Sequence, residues 1–305
     1  MDTKKIIQAG KIASQVKTYA KTIVKNGASL LEIAEKIETK ILELGGKPAF
    51  PVNLSIDGIA AHYTPAHDDT TLAHGLLKVD IGVHIDGWVA DTAFSLDLEN
   101  SEENQKLIKA SEEALKNALN LVKSRIEVNE KNKTEIGLSE IGKTIQETIE
   151  SYGFTPVANL SGHSIEQYNL HSGINVPNID SKSSLTLKEG LYAVEPFATN
   201  GNGKVHDGKP SNIYHILNEK NPRSQSAREV LVFILKEYKE LPFCSRWIVK
   251  KFGTRGVFSL HELEANGNLH HFAQLVESSN AGGTKVSQAE QTILVEKNKV
   301  TVTTI

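Results

Sequence analysis

The stretch that decides the fold is Lys78-Val79-Asp80-Ile81-Gly82-Val83-His84-Ile85-Asp86-Gly87-Trp88-Val89-Ala90-Asp91-Thr92-Ala93. Apolar runs flank Asp86-Gly87, a dipeptide typical of the two-residue turn of a β-hairpin. Pairing outward from this turn places Gly82 opposite Asp91, so Asp80 lies one diagonal step from Asp91 on the same face. Such a diagonal measures roughly 7 to 8 Å between Cα atoms, which lets two carboxylates share a metal ion. Gly82 adds no side chain that would fill the space beside them.

The two acids of this hairpin favour a functional interpretation over a structural one. A single Asp more often ends a strand or supports a turn. Here both Asp80 and Asp91 lie within apolar β segments and point the same way, which is costly unless a positive charge compensates them. The hairpin therefore predicts a cation site.

Composition limits the class of protein. The 305 residues are 39% hydrophobic, enough for a core, and the formal net charge of −3 argues against nucleic acid as a specific partner. Cys244 is the single cysteine, so no intrachain disulfide can form. No apolar region of signal-peptide length begins the chain, and no uncharged stretch approaches the roughly 20 residues that cross a bilayer. We expect a soluble cytoplasmic protein without a membrane association.

Three stretches have helical patterns. Residues 1–46 read as helical, with Ser29 and Glu32 at capping-box spacing and a Gly-Gly pair at the end. Residues 102–126 are charged and rich in Ala and Leu, and residues 139–152 repeat Ile every four positions. Between these helices the chain has β-like segments.

The chain contains two blocks that resemble each other. Each block reads as a helix, a Gly, the triplet Asn-Leu-Ser and then a strand with an acid; the triplets are 53–55 and 159–161, and the acids are Asp80 and Glu195. The pattern leaves duplication and coincidence equally open. If it is duplication, the two halves face each other and their acids converge at the seam.

Two later segments differ from this pattern. Residues 210–269 are rich in Lys and Arg, with helical and irregular stretches, and have the character of an insertion in the second half. Residues 291–305 are rich in Val, Ile and Thr, which predicts a closing strand.

Several motifs in order along nearly the whole chain resemble those of the methionine aminopeptidases. Besides the hairpin, they are Phe50-Pro51, Ala60-Ala61-His62-Tyr63-Thr64-Pro65, Asn159-Leu160-Ser161-Gly162-His163-Ser164-Ile165, Glu195-Pro196-Phe197-Ala198-Thr199-Asn200-Gly201 and Gln288-Ala289-Glu290. The segment 210–269, with Leu241-Pro242-Phe243-Cys244-Ser245-Arg246-Trp247, looks like the helical subdomain of the type II enzymes. The short stretch before the first helix is similar to the archaeal form.

The resemblance implies an α/β (α+β) pita-bread fold with two pseudo-symmetric halves. One catalytic domain would span residues 1–305, with residues 210–269 as an inserted helical subdomain. Two divalent metal ions would lie between the halves, held by Asp80, Asp91, His163, Glu195 and Glu290. In the family pattern Asp80 chelates one ion, Asp91 and Glu290 bridge both, and His163 and Glu195 complete the second. This oxygen-rich set leaves the identity of the metal open among Co, Mn, Fe(II) and Zn.

The resemblance also implies the activity: metal-assisted removal of the N-terminal Met from nascent proteins, with preference for a small second residue. Glu195 is the candidate proton shuttle, and His62 and His171 match the two histidines that contact the scissile amide. Phe50 and Ile213 match the wall of the methionine pocket, although a plain core role is almost equally compatible with them. The partners would be a peptide or nascent-protein N-terminus, with the ribosome as a candidate, and the protein would be a monomer.

One departure from the family pattern and two rival functions stay open. Gln291 stands where the family commonly has His. Because that residue is not a ligand, the departure affects only the contacts that surround the ligands. A proline-directed aminopeptidase or prolidase shares fold and metals but usually carries a large N-terminal domain, whereas only about 50 residues precede Phe50 here. A non-catalytic binding protein of the same fold would have lost ligands, and all five ligand types are present.

Overall fold

The computed structural model describes residues 1–127, 135–279 and 282–305. Its helices are α1 (Thr3–Ile23), α2 (Leu30–Glu43), α3 (Glu102–Ile126), α4 (Leu138–Ser151), α5 (Gln225–Glu237), α6 (Ser245–Phe252) and α7 (Arg255–Ala265). Its strands are β1 (Lys47–Pro48), β2 (Asn53–Ile56), β3 (Ile59–Ala61), β4 (Leu76–Ile85), β5 (Trp88–Asp97), β6 (Thr155–Pro156), β7 (Ser161–Ile165), β8 (Asn175–Pro177), β9 (Gly190–Val194), β10 (Phe197–Thr199), β11 (Val205–Ile216), β12 (Phe243–Cys244), β13 (Leu269–Glu277), β14 (Val286–Gln288), β15 (Gln291–Glu296) and β16 (Lys299–Val302).

The hairpin forms in the predicted register. Strands β4 and β5 are antiparallel, with Ile85 opposite Trp88 and Gly82 opposite Asp91. Asp86 and Gly87 have φ values of 49° and 82°, the pair of positive values that a type I′ turn requires. Local turn chemistry therefore fixes the relative position of the two acids.

The first half packs two helices on the sheet that contains this hairpin. Helices α1 and α2 cover strands β1, β4, β2 and β5, and their apolar faces form one core. The Ser29 hydroxyl accepts a hydrogen bond from the backbone N–H of Glu32, so the predicted cap is present. The helical stretch 1–46 forms two helices, and the second begins at the predicted cap; the end of α1 at Ile23 was not predicted. Gly27, at φ 80°, lies between the two helices and is unfavourable inside a helix.

The second half repeats the arrangement with different strands. Helices α3 and α4 pack on the antiparallel sheet β16-β15-β9-β7-β8 through a second core. The predicted helix 102–126 has the bounds of α3, and the predicted helix 139–152 is shifted by one residue. The closing segment was predicted as one strand but forms the two-stranded hairpin β15–β16, because the chain turns at residues 297 and 298. Two similar halves, each a helix pair on a sheet, confirm the predicted pseudo-symmetric fold.

Three helices follow strand β11 and precede strand β13. Helices α5, α6 and α7 share an apolar cluster with residues of β11, β12 and β13. They adjoin the first half through Arg246, whose guanidinium donates to both carboxylate oxygens of Glu38, with Nη1 to Oε2 at 2.6 Å and Nη2 to Oε1 at 2.9 Å. Both side chains are buried. Residue 210 lies inside β11, so the helices occupy only part of the predicted insertion 210–269. That these residues form a separate subdomain stays a prediction.

Within the described ranges, none of the helices combines the length and the apolar character that crossing a membrane requires.

Candidate metal centre

A cavity of about 310 Å³ lies between the two halves. All nine residues predicted for the site line it, and they come from both halves and from strand β11: Phe50, His62, Asp80, Asp91, His163, His171, Glu195, Ile213 and Glu290. The structure therefore brings together residues that are separated by up to 240 positions in the chain.

The charged groups of the cavity lie within metal-sharing distance. Nε2 of His163 is 3.7 Å from Oδ2 of Asp91 and 3.9 Å from Oε1 of Glu195. Asp91, His163 and Glu290 each present one ligand atom within 4.8 Å of the other two. Asp80 is joined to the group by Gln288, whose amide nitrogen lies 3.5 Å from Oδ2 of Asp80 and 3.2 Å from Oε2 of Glu195.

Burial and mutual repulsion make the carboxylates of this group hard to ionise. Burial raises the pKa of Asp80 to about 6. Burial, followed by repulsion from neighbouring carboxylates, raises the pKa values of Asp91, Glu195 and Glu290 well above their ordinary range. Burial, with the nearby His171 ring, lowers the pKa of His163 to about 3, so that this imidazole is neutral and free to bind a cation.

The donor set fits divalent cations. One buried oxygen of each of Asp80, Asp91 and Glu290 has no hydrogen-bond partner among the described residues. Buried carboxylate oxygens without partners are costly, and cations remove that cost. Two divalent ions would bring +4 against the −4 of four carboxylates, while a single ion would leave a net negative charge in a buried cavity. The charge of the centre is thus balanced when two divalent cations are bound.

Two buried threonines hold the acids across the seam between the halves. The Thr292 hydroxyl accepts a hydrogen bond from the backbone N–H of Asp91 at 2.8 Å and donates to the Asp91 carbonyl oxygen at 2.8 Å. In the opposite direction, the Thr92 hydroxyl donates to the carbonyl oxygen of Glu290 at 2.9 Å. The N–H of Glu290 donates to the carbonyl of Ala93. Strand β5 is therefore joined to the residues around Glu290 at the position of the two central acids.

His62 and His171 line the same cavity without contacting the carboxylates. His62 has a positive φ of 65°, a conformation that a residue other than Gly adopts only when its surroundings impose it. Its Nδ1 lies 3.2 Å from the carbonyl oxygen of Ala273. A carbonyl can only accept, so Nδ1 carries the proton and Nε2 presents a lone pair. The ring of His171 meets that of His163 edge-on at 4.3 Å.

Phe50 and Ile213 are buried and form part of the apolar wall. The free space expected beside Gly82 is not empty, since the Phe50 ring fills it. A wall position is compatible with both the pocket role and the core role that the sequence left open.

Sequence reasoning missed Gln288, Thr92 and Thr292. Gln288 precedes Glu290 by two residues, the spacing that places side chains on one face of an extended chain, so its contact with the acids could have been inferred. Thr92 follows Asp91 inside an apolar strand, where a buried hydroxyl requires a partner. Gln291 lines a different cavity behind the centre, together with Lys17.

The sequence profile of metallopeptidase family M24 matches residues 4–228. The chain belongs to this family. A peptidase family that uses metals agrees with the cation-binding character of the cavity, and the predicted family resemblance is confirmed.

Several relatives of this M24 metallopeptidase match it over its full length, and they are named methionine aminopeptidase. The protein of Pyrococcus abyssi is 45% identical over 309 residues and 100% of both chains. That of Methanocaldococcus jannaschii is 44% identical, over 98% of this chain and 97% of its own. That of Saccharolobus solfataricus is 35% identical, over 98% and 97%.

Solved structures show the same fold at low sequence identity. A thermophilic Arx1 superposes with a TM-score of 0.81 at 14% identity, over 98% of this chain and 90% of that one. Methionine aminopeptidase from Thermotoga maritima gives 0.67 at 19%, over 99% and 95%. Prolidase from Pyrococcus furiosus gives 0.60 at 16%, over 100% of this chain and 64% of that one. Because these identities are low, the structural matches establish the pita-bread architecture alone.

Proposed function

We propose that this M24 metallopeptidase removes the N-terminal methionine from peptides and nascent proteins by hydrolysing the first peptide bond. The observation that carries the proposal is the cavity itself, where four carboxylates, those of Asp91 and Glu290 buried and the other two half-buried, converge with one neutral imidazole beside an apolar wall. The full-length relatives that are about 45% identical carry the name methionine aminopeptidase, which agrees with this substrate.

We assign Asp80, Asp91, His163, Glu195 and Glu290 as the ligands of two divalent cations. Co, Mn, Fe(II) and Zn all suit a set of carboxylates with one imidazole, and the ligands do not choose among them. Such a pair of cations supplies Lewis acidity, which makes water a better nucleophile near neutral pH and polarises a carbonyl oxygen. The substrate's free amine and scissile carbonyl would lie toward these ligands.

The protein's own residues then handle protons and orientation. Glu195 is the proposed proton shuttle, which takes a proton from the attacking water and passes it to the leaving amine. His62 keeps its proton on Nδ1 through Ala273, so its Nε2 accepts a hydrogen bond from a substrate N–H. His171 has no hydrogen-bond partner among the described side chains and faces the cavity, where it can donate to the oxygen that becomes negative.

The apolar wall gives the preference for methionine. Phe50 and Ile213, together with Leu170 and Phe197, line one side of the cavity. Burial of a Met side chain there contributes on the order of 1.5 to 3 kcal/mol. His62 and Phe272, whose rings meet edge-on at 5.3 Å, also line the cavity and would narrow the space for the second residue of a substrate, which favours a small one.

Two rival functions receive less support. The fold shared with prolidase is a match at 16% identity and carries no substrate information. A non-catalytic role would leave the five acidic and imidazole ligands without use. The ribosome as a partner, a monomeric state and a cytoplasmic location stay predictions.

The test measures free methionine released from Met-Ala-Ser by protein reconstituted with each metal in turn. A peptide with an X-Pro bond at its N-terminus is assayed in parallel, and Asp91→Asn, which keeps the side-chain shape, is the control. We expect release of Met by the wild type alone. Cleavage restricted to the X-Pro peptide would establish the proline-directed function instead, and the absence of cleavage with every metal would favour a binding protein.

A further inference from the structure

A second group of histidines lies outside the metal centre, on strands β11 and β13. In this antiparallel pair His215 and His270 are directly opposite each other. Both line a cavity of about 300 Å³ that adjoins the central one, since the two cavities share the residues Leu170, His171, Pro242 and Phe272. The pair is therefore close to the centre but is built from residues that do not belong to it.

The two imidazoles are free of other bonds. Their ring centres are 5.3 Å apart and their planes are inclined by 71°. Among the described residues neither ring has a hydrogen-bond or ion-pair partner, and their contacts are with each other and with Phe272. The neighbouring His271 differs, since its ring nitrogens contact the Glu264 carboxylate and the Ser211 carbonyl oxygen. Nitrogens of the His215–His270 pair therefore remain available to a ligand.

The separation of the rings suits chelation. A metal ion binds an imidazole nitrogen at about 2.1 Å, which puts the ring centre about 3 Å from the ion; two neighbouring ligands then have ring centres roughly 5 Å apart. We propose that His215 and His270 chelate one divalent transition-metal ion, of the class Zn²⁺, Ni²⁺ or Cu²⁺. This inference does not depend on the peptidase activity.

The other ligands of this ion would come from water and from the same cavity. Among the described residues the one group of three side chains with ligand atoms within 4.8 Å is Asp91, His163 and Glu290, so the proposed second site rests on the two histidines. Glu240 lines the cavity and its exposed carboxylate can swing toward the pair. A site with two imidazoles favours metals that bind nitrogen, with Cu²⁺ the strongest, whereas the oxygen-rich centre also accepts harder ions.

The experiment counts bound Cu²⁺ on the full chain, by equilibrium dialysis with metal analysis, and records its electron paramagnetic resonance spectrum. The wild type is compared with His270→Gln, His215→Gln and the double variant. His206→Gln is the matched control, because His206 lies on the same strand β11 but pairs with Val276. Thermal unfolding without metal verifies that each variant is folded, and His270, which is exposed, is the safer of the two positions.

We expect the wild type and His206→Gln to bind one more equivalent of Cu²⁺ than the double variant, with a spectral component that shows two nitrogen ligands and is lost in each single variant. Equal binding and an unchanged spectrum in the double variant would overturn the proposal. A failure of the peptidase assay would leave this result unaffected, because neither readout requires turnover.

Discussion

The ring of Phe50 lies against Gly82, so closely that a Cβ on Gly82 would come within 2.2 Å of its Cε1 atom. Gly82 is also the residue opposite Asp91 in the hairpin. The strand that carries Asp80 therefore also positions the apolar wall of the cavity. The hairpin that carries Asp80 and Asp91 is therefore also the surface against which the Phe50 ring packs.

Gly82→Ala tests this contact. The added methyl group must displace the Phe50 ring, and we expect kcat/KM for Met-Ala-Ser to fall about tenfold or more, mainly through KM, with bound metal unchanged. Steady-state kinetics with metal analysis measures both. The double variant Gly82→Ala/Phe50→Leu replaces the planar ring by a smaller side chain and should recover part of the loss. Equal losses in the single and double variants would show that the ring contact is not the cause.

Without metal, the four acids of the centre should affect the pH dependence of stability in an unusual direction. The folded pKa of Asp80, about 6, lies above its ordinary value of 3.8, and those of Asp91, Glu195 and Glu290 are raised as well. Between the unfolded and folded pKa values these acids bind more protons in the native state than in the unfolded state, so their contribution to the free energy of unfolding decreases as pH rises. For Asp80 this window is about pH 4 to pH 6.

The lowered pKa values of His62 and His163 act in the opposite direction over the same range, so the contribution of the acids is isolated by comparing the metal-free wild type with Asp91→Asn. We expect this substitution to raise the free energy of unfolding of the metal-free protein, and to raise it more at pH 7 than at pH 5. Urea denaturation at both pH values, with and without metal, measures it. Asp91→Asn removes one of the repelling charges, so its metal-free form should unfold at higher urea than the metal-free wild type at pH 7. An effect of Asp91→Asn that is equal at the two pH values, or larger at pH 5, would contradict the expectation.

The parts of the fold that sequence predicted are those that local chemistry determines. The hairpin register follows from the Asp86-Gly87 turn and from strand alternation, and helix α3 has the predicted bounds because its caps and apolar period agree. The end of helix α1 before Gly27 and the turn before β16 were missed, since each interrupts a favourable pattern over a few residues.

The residues of the site also divide into those that a local pattern could place and those that it could not. Asp80 and Asp91 could be joined by pairing within one hairpin. His163, Glu195 and Glu290 come from distant parts of the chain, and spacing alone could not connect them; the family resemblance did. The contact between Phe50 and Gly82 and the threonine bonds across the seam depend on how the halves pack, which no local pattern encodes.

Thr292 should matter for metal binding although it is not a ligand. Thr292→Val leaves the buried backbone N–H of Asp91 without its hydroxyl partner, a cost of about 1 to 3 kcal/mol. We expect lower thermal stability, measured by thermal unfolding, and weaker metal binding, measured by titration of the metal-free protein. Thr292→Ser keeps the hydroxyl and should resemble the wild type. If the Ser and Val variants lose affinity equally, the methyl packing of Thr292 and not its hydrogen bonds is responsible.

The ion pair between Glu38 and Arg246 should anchor helix α6 to the first half. Both side chains are buried, and the Trp247 indole also donates to Glu38. Arg246→Met leaves the carboxylate buried without its cation, so we expect a loss of about 3 to 5 kcal/mol in urea denaturation. Glu38→Gln/Arg246→Met removes both charges and should lose less. The exposed pair Lys36 and Glu32 serves as the control, and Lys36→Met should change stability by less than about 1 kcal/mol.

Substitutions of His62 should separate an effect on catalysis from an effect on metal binding. Its Nδ1 is held by the Ala273 carbonyl, burial lowers its pKa, and the neutral ring presents Nε2 to the cavity. His62→Ala should reduce kcat by about 10² to 10⁴ while the bound metal, measured by metal analysis, stays at the wild-type level. His62→Asn is the second variant, since a shorter side chain that keeps hydrogen-bonding capacity and tolerates the positive φ of 65° tests whether strain alone is at fault. If both variants lost metal in proportion to activity, His62 would act by supporting the ligands. A large loss of kcat in both variants with full metal content would place His62 at the scissile amide.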